Sequence, residues 1–175
     1  MKPPAAISLE TITDEPLRFD FELPFTVEAL DREPLVSISP ARLVGEVSRV
    51  EGGYALSARL IWSGQLECSR CLAPYDFAND EEFSLLLYPR GPVVEKEIAL
   101  ERDDFDAYFY DDAMLSVSPI AEERIQMAVP MKPLCREECR GLCPQCGTDL
   151  NVSECDCVSE EVDPRWRALQ LLKKE

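Results

Sequence analysis

The chain has 175 residues, 46% hydrophobic and 30% charged, enough for one folded domain with a fair core or for one domain with a small appended lobe. Acidic residues outnumber basic ones 34 to 18, a formal charge of −16, which disfavours a broad electrostatic grip on a phosphate backbone. No apolar run reaches the roughly 18 residues of a membrane helix, and the opening MKPPAAISLETITDE lacks the apolar centre of a secretory signal, so the expectation is a cytoplasmic protein with no membrane partner.

From position 17 to 27 the odd residues are apolar (Leu17, Phe19, Phe21, Leu23, Phe25, Val27), and Arg18, Asp20, Glu22, Pro24 and Thr26 alternate with them. That period of two predicts a half-buried strand, with Pro24 marking an edge or a break. Residues 43–50 and 54–66 predict a hairpin turning at Gly52-Gly53, in which Tyr54, Leu56, Ala58, Leu60, Trp62 and Leu66 share one face. The second strand runs into Cys68-Ser-Arg-Cys71, so this CxxC falls at a sheet end. Beyond it, Asn79-Asp80 predicts a turn, followed by a strand with Phe83, Leu85 and Leu87 inward.

Residues 103–112, DDFDAYFYDD, predict a solvated acidic loop with its aromatics tucked back, or a docking segment for a basic partner. Ser118-Pro119 predicts a helix start, a hydroxyl cap followed by proline, with Ala121, Ile125 and Ala128 as its apolar face. Pro130 and Pro133 end that helix before Cys135. Asp163-Pro164 repeats the start signal for a terminal helix with Trp166, Leu169 and Leu172 on one side and Arg165, Arg167, Lys173 and Lys174 on the other. The expected fold is α+β: a β-rich antiparallel sheet or partly open barrel over residues 1–115, then over 116–175 a helix, a cysteine-rich lobe at 135–157 and a terminal helix.

Six of the eight cysteines lie within 135–157, and the chain has no histidine. Thiols spaced two, three and one residue apart converge on a soft ion only as thiolates, which makes zinc the first candidate. Cys143-Pro-Gln-Cys146-Gly is a CxxC knuckle, and Cys155-Asp-Cys157 can turn two thiols to one side of an extended segment. A short loop joins them, so Cys143, Cys146, Cys155 and Cys157 form the first expected site. Cys68, Cys71, Cys135 and Cys139 form a possible second, with Cys135 and Cys139 spaced for one face of a helical turn. A local grouping of Cys135, Cys139, Cys143 and Cys146 is the rival. Disulfides and a thioredoxin-like CxxC fit poorly, and spacing alone leaves a structural iron–sulfur cluster open in place of zinc.

CSRCL at 68–72, AVPMKPLC ending at Cys135, CRGLCPQCGTDLN at 139–151, CDC at 155–157 and DPRWRAL near the end together resemble the YceD family. The resemblance implies a role in accumulation, processing or stability of 23S ribosomal RNA, hence in large-subunit biogenesis, and association with a small large-subunit ribosomal protein. It implies no catalytic residues. The expected function is a non-enzymatic factor, holding one or two zinc ions, that binds a basic ribosomal protein or precursor ribosomal RNA and takes no small-molecule substrate. The alternatives are a metal-dependent RNA-processing enzyme, for which Asp103/Asp104 or Asp111/Asp112 would bind magnesium, and a zinc-ribbon regulator. Absence of a histidine base and a closed four-thiolate shell argue against the enzyme.

Overall fold

The computed structural model describes residues 5–90 and 107–157. In chain order these form β1 (Ala6–Ser8), a 3-10 turn (Leu9–Thr11), β2 (Leu17–Leu23), α1 (Val27–Leu30), β3 (Leu35–Ile38), β4 (Ala41–Val50), β5 (Gly53–Glu67), β6 (Pro74–Pro89), β7 (Ala107–Tyr110), β8 (Met114–Ser116) and α2 (Ser118–Ala128). Six strands make one sheet in the order β2-β4-β5-β6-β7, with β3 continuing the line of β4 along β5; β1 and β8 make a separate antiparallel pair. Every pairing in the large sheet is antiparallel except β6 with β7, which is parallel.

The period of two sorts the sheet into faces. Leu43, Val47, Leu56, Leu60, Trp62, Leu66 and Leu87 are 2% exposed or less and line its inner face. Ile7, Leu9 and Leu115 from the small pair, and Ile120, Ala121, Ile125 and Val129 from α2 and its end, close over that face in one cluster. Arg124 of α2 lies 4.7 Å over the Phe83 ring and 3.3 Å from Glu81, so its charge is partnered where the helix meets the sheet. On the outer face Arg42 grips Asp20 and Arg59 grips Asp80 through paired hydrogen bonds of 2.6 to 3.0 Å. These pairs hold both carboxyls below the usual range, chiefly through the arginine hydrogen bonds.

Several expectations need correction. The strand from 17 ends at Leu23, because Pro24 breaks it and the Thr26 hydroxyl then accepts the Ala29 N–H to cap α1. No turn interrupts β6 at Asn79-Asp80: these residues pair with Trp62 and Ile61, and Arg59 fixes the Asp80 carboxylate. Of the acidic segment, residues 107–110 form β7, not a loop, with Phe109 53% exposed; residues 103–106 lie outside the described residues. The α2 helix starts one residue early, with Val117 before it and no side-chain cap from Ser118. Cys135 and Cys139 occupy a non-helical turn closed by the Cys139 N–H on the Arg136 carbonyl at 3.1 Å. The terminal helix expected from Asp163 lies outside the described residues. Among the described residues no helix is long and apolar enough to cross a membrane.

Candidate metal centres

The hairpin of β5 and β6 is the longest in the fold, and its turn is Cys68-Ser-Arg-Cys71-Leu. Register at the base of this turn pairs Glu67 with Pro74. Cys68 N–H donates to the Ala73 carbonyl at 3.0 Å, and Leu72 N–H to the Cys68 carbonyl at 2.9 Å. The second knuckle repeats each contact at the same offset: Leu142 pairs with Asp149, Cys143 N–H donates to the Thr148 carbonyl at 2.8 Å, and Gly147 N–H to the Cys143 carbonyl at 2.9 Å. Both turns place the residue after the second cysteine in the left-handed region, Leu72 at φ 59 and Gly147 at φ 75. The two CxxC turns are therefore one local structure built twice. Glycine meets its conformational demand in one copy and leucine endures it in the other.

Each knuckle receives a second pair of thiols. Cys68, Cys71, Cys135 and Cys139 converge, as do Cys143, Cys146, Cys155 and Cys157, with all sulfurs of each quartet within 4.8 Å of one another. The grouping read from spacing is the one the chain adopts, and the local rival is not. In the first quartet the Cys68 and Cys139 sulfurs stand 3.8 Å apart, as do those of Cys71 and Cys135. Four sulfurs at about 2.3 Å from a common tetrahedral ion stand roughly 3.8 Å apart, which these two separations match. Either quartet could hold a metal ion.

The first quartet is docked onto the sheet. Arg70, inside the β5–β6 knuckle, donates Nη1 to the Cys139 carbonyl at 2.7 Å and the Glu137 carbonyl at 3.1 Å, while its own carbonyl accepts the Leu142 N–H at 3.0 Å. Ser69 N–H donates to the Pro133 carbonyl at 2.9 Å. Gly141, at φ 76, lies so close that an added Cβ would stand 2.9 Å from the Arg70 carbonyl oxygen. Tyr75, Leu134 and Leu142 pack around the sulfurs. Cys68, Cys71 and Cys139 are buried, whereas Cys146 and Cys157 of the second quartet are exposed.

Within each quartet two thiols are lowered from the ordinary thiol value and two are raised. Burial pushes Cys68 up, but backbone N–H donors of Cys135, Cys71 and Arg70 outweigh it and bring the thiol to about 6. Cys139 is likewise lowered against burial by the Asn151 side chain and the Gly141 N–H. Cys146 falls to about 6 through the Thr148 hydroxyl, whose Oγ1 is 3.1 Å away, and Cys143 falls through the N–H groups of Cys146 and Gln145. Burial and sharing with Cys68 push Cys135 up to about 12; sharing with Cys146 does the same for Cys157. Binding of a divalent cation to either quartet would release the remaining thiol protons.

Sequence reasoning missed Asn151, which lies in the short loop between the knuckle and Cys155. Its amide Nδ2 donates to the Cys139 sulfur at 3.4 Å, and its Oδ1 accepts the Arg140 N–H at 2.8 Å. Arg70 was also missed, since nothing in CSRC distinguishes a tethering arginine from a solvated one.

Comparison with known proteins bears on the same stretch. The chain is 29% identical over 169 residues to an uncharacterized protein of Mycobacterium tuberculosis, covering 96% of this chain and 74% of that one. It is 28% identical over 166 residues to the uncharacterized protein YlbN of Bacillus subtilis, covering 89% of each. A 61-residue match at 28% identity, 35% of this chain and 19% of the other, joins it to the large ribosomal RNA subunit accumulation protein YCED homolog 1, chloroplastic, of Arabidopsis thaliana. No solved structure matches. Residues 58–173, from mid-β5 through both cysteine quartets, match the family described as large ribosomal RNA subunit accumulation protein YceD, and the chain belongs to that family.

Proposed function

We propose that this protein is a non-enzymatic factor in accumulation of large-subunit ribosomal RNA, that it carries two structural zinc ions, and that it acts by binding a basic protein of the large subunit. The family supports the coarse role. Charge carries the choice of partner. The outer sheet face presents Asp20, Glu22, Glu46, Asp76, Asp80 and Glu82 against three arginines, Arg18, Arg42 and Arg59. Each four-thiolate zinc site adds about two further negative charges to the formal −16. Such a molecule repels phosphate and attracts a lysine-rich protein.

Zinc suits the donor set, and four sulfurs leave it no open position for a reacting water, which is the ground for a structural and not a catalytic ion. Protein purified without added metal should contain two zinc ions per chain by mass spectrometry. A basic large-subunit protein should be retained on the immobilised chain at low salt and released as salt rises. Retention indifferent to salt, or none, would remove the electrostatic reading. Precursor RNA is the second reading, favoured by Lys132, Arg136 and Arg140 exposed on the lobe. It requires retention of RNA by the protein alone, lost when those three are replaced by glutamine.

A further inference from the structure

The Asn151 contact crosses from one centre to the other. Asn151 lies in the loop between Cys146 and Cys155, both in the second quartet, yet its Nδ2 donates to Cys139 in the first. The remaining bonds of the side chain aim that donor. Oδ1 accepts the Arg140 N–H at 2.8 Å, and Asp149 Oδ1 accepts both the Asn151 N–H at 2.9 Å and Nδ2 at 2.7 Å. Leu150 N–H donates to the Gly141 carbonyl at 2.9 Å, and Leu142 pairs with Asp149 in an isolated bridge, so this pairing carries Asn151 toward Cys139.

What closes that loop is the second quartet. A pairing of so few residues is marginal by itself. Beyond Asn151 the chain through Cys155 to Cys157 has Val152 84% exposed and is held by turn bonds to the Asp149 carbonyl, by Arg140 with Glu154 at 3.8 Å, and by the thiols themselves. An ion that fastens Cys155 and Cys157 to Cys143 and Cys146 removes most of the loop's freedom and leaves Asn151 facing Cys139.

We infer that Asn151 is a positioning residue through which filling of the exposed second centre strengthens metal binding at the buried first centre. This rests on the metal reading given above. The coupling works in both directions: an ion at the first centre holds Cys139, hence Asn151, hence the loop that carries the second centre's ligands. Loss of the exposed ion loosens the buried one, which joins the lobe to the sheet.

The test loads the full chain with 113Cd2+ as sole metal and reads one resonance per centre, assigned with Cys68→Ser/Cys71→Ser and Cys155→Ser/Cys157→Ser, while a chelator competes. Asn151→Asp keeps the acceptor for Arg140 but loses the donor to sulfur; Asn151→Leu loses both, without added charge. In the intact chain either change should weaken the first centre by about 10-fold or more, the usual scale for removing a group that orients a ligand, and displace its resonance. Removal of Cys155 and Cys157 should weaken it similarly, and Asn151→Leu in that background should then cost less than about 3-fold, the non-additivity expected of one shared link. If Asn151→Leu keeps its full effect when the second centre is gone, or if neither change alters the first resonance or its affinity, the coupling is refuted while two resonances still support two metal centres. Absence of any bound cadmium would overturn both readings.

Discussion

Two glycines flanking the second knuckle are both in the left-handed region, at φ 76 and 75, but differ in surroundings, and alanine at each should separate strain from collision. At Gly147 nothing lies within 4 Å of an added Cβ, so the cost is conformational alone. Left-handed backbone costs a side chain about 1–2 kcal/mol, and the stiffer unfolded chain returns about 0.4–1, leaving about 1 kcal/mol. At Gly141 the added Cβ meets the Arg70 carbonyl oxygen at 2.9 Å and the Arg70 Cβ at 3.2 Å. That carbonyl accepts the Leu142 N–H, so relieving the overlap spoils the bond joining the lobe to the sheet knuckle. A lost hydrogen bond adds about 1–3 kcal/mol, so Gly141→Ala should cost about 2–4 kcal/mol in all. Urea unfolding at saturating metal, followed by a probe in the lobe, measures both. Equal midpoints for the two variants, or the larger loss at Gly147, would refute the packing of Arg70 against Gly141.

At the matching position of the first knuckle, Leu72→Gly should be more stable than Leu72→Ala by about 1 kcal/mol, read from the same urea midpoints, because only glycine adopts φ 59 freely. Leu60→Ala, at a residue 0% exposed in the middle of β5, should lower stability by about 2–5 kcal/mol in thermal or urea unfolding. Asp20 and Asp80 have folded values lowered below 3.8, so their stabilising contribution is present above that value and is lost as pH falls through the folded one. The Asp20→Asn/Asp80→Asn variant should therefore show a shallower fall in stability below about pH 4 in acid titrations followed by circular dichroism. Chelator should withdraw metal in two steps, the exposed second centre first, and limited proteolysis after the first step should cut within 140–157 while the sheet persists; a single-step loss with cleavage throughout would contradict this.

The strands were legible where one face is buried, because burial imposes a period of two: Leu56, Leu60, Trp62 and Leu66 announce β5 unaided. The error at Asn79-Asp80 has the opposite origin. Both residues favour turns, and only the register that brings Arg59 across to Asp80 overrules that preference. β7 has four residues and pairs in parallel with β6, so neither length nor alternation signalled it. The cysteine grouping could be read because the loop from Cys146 to Cys155 is short and the leftover pairs were few. The duplication of the two knuckles could not be, since Leu72 occupies the place where the second copy has glycine. Asn151 was hidden by its double use, turning the chain with its backbone and reaching a sulfur with its side chain.

The first quartet also sets a timetable for synthesis. Cys71 and Cys135 are 64 residues apart, and at about 5–20 residues per second a ribosome needs roughly 3–13 s to supply the second pair of thiols after the first has emerged. During that interval the knuckle at the end of the longest hairpin presents two sulfurs to its surroundings, half of a coordination shell. The second quartet lies within a far shorter stretch and is complete soon after its first cysteine appears. Construction thus begins at the hairpin tip but closes there late, when the lobe folds back on it.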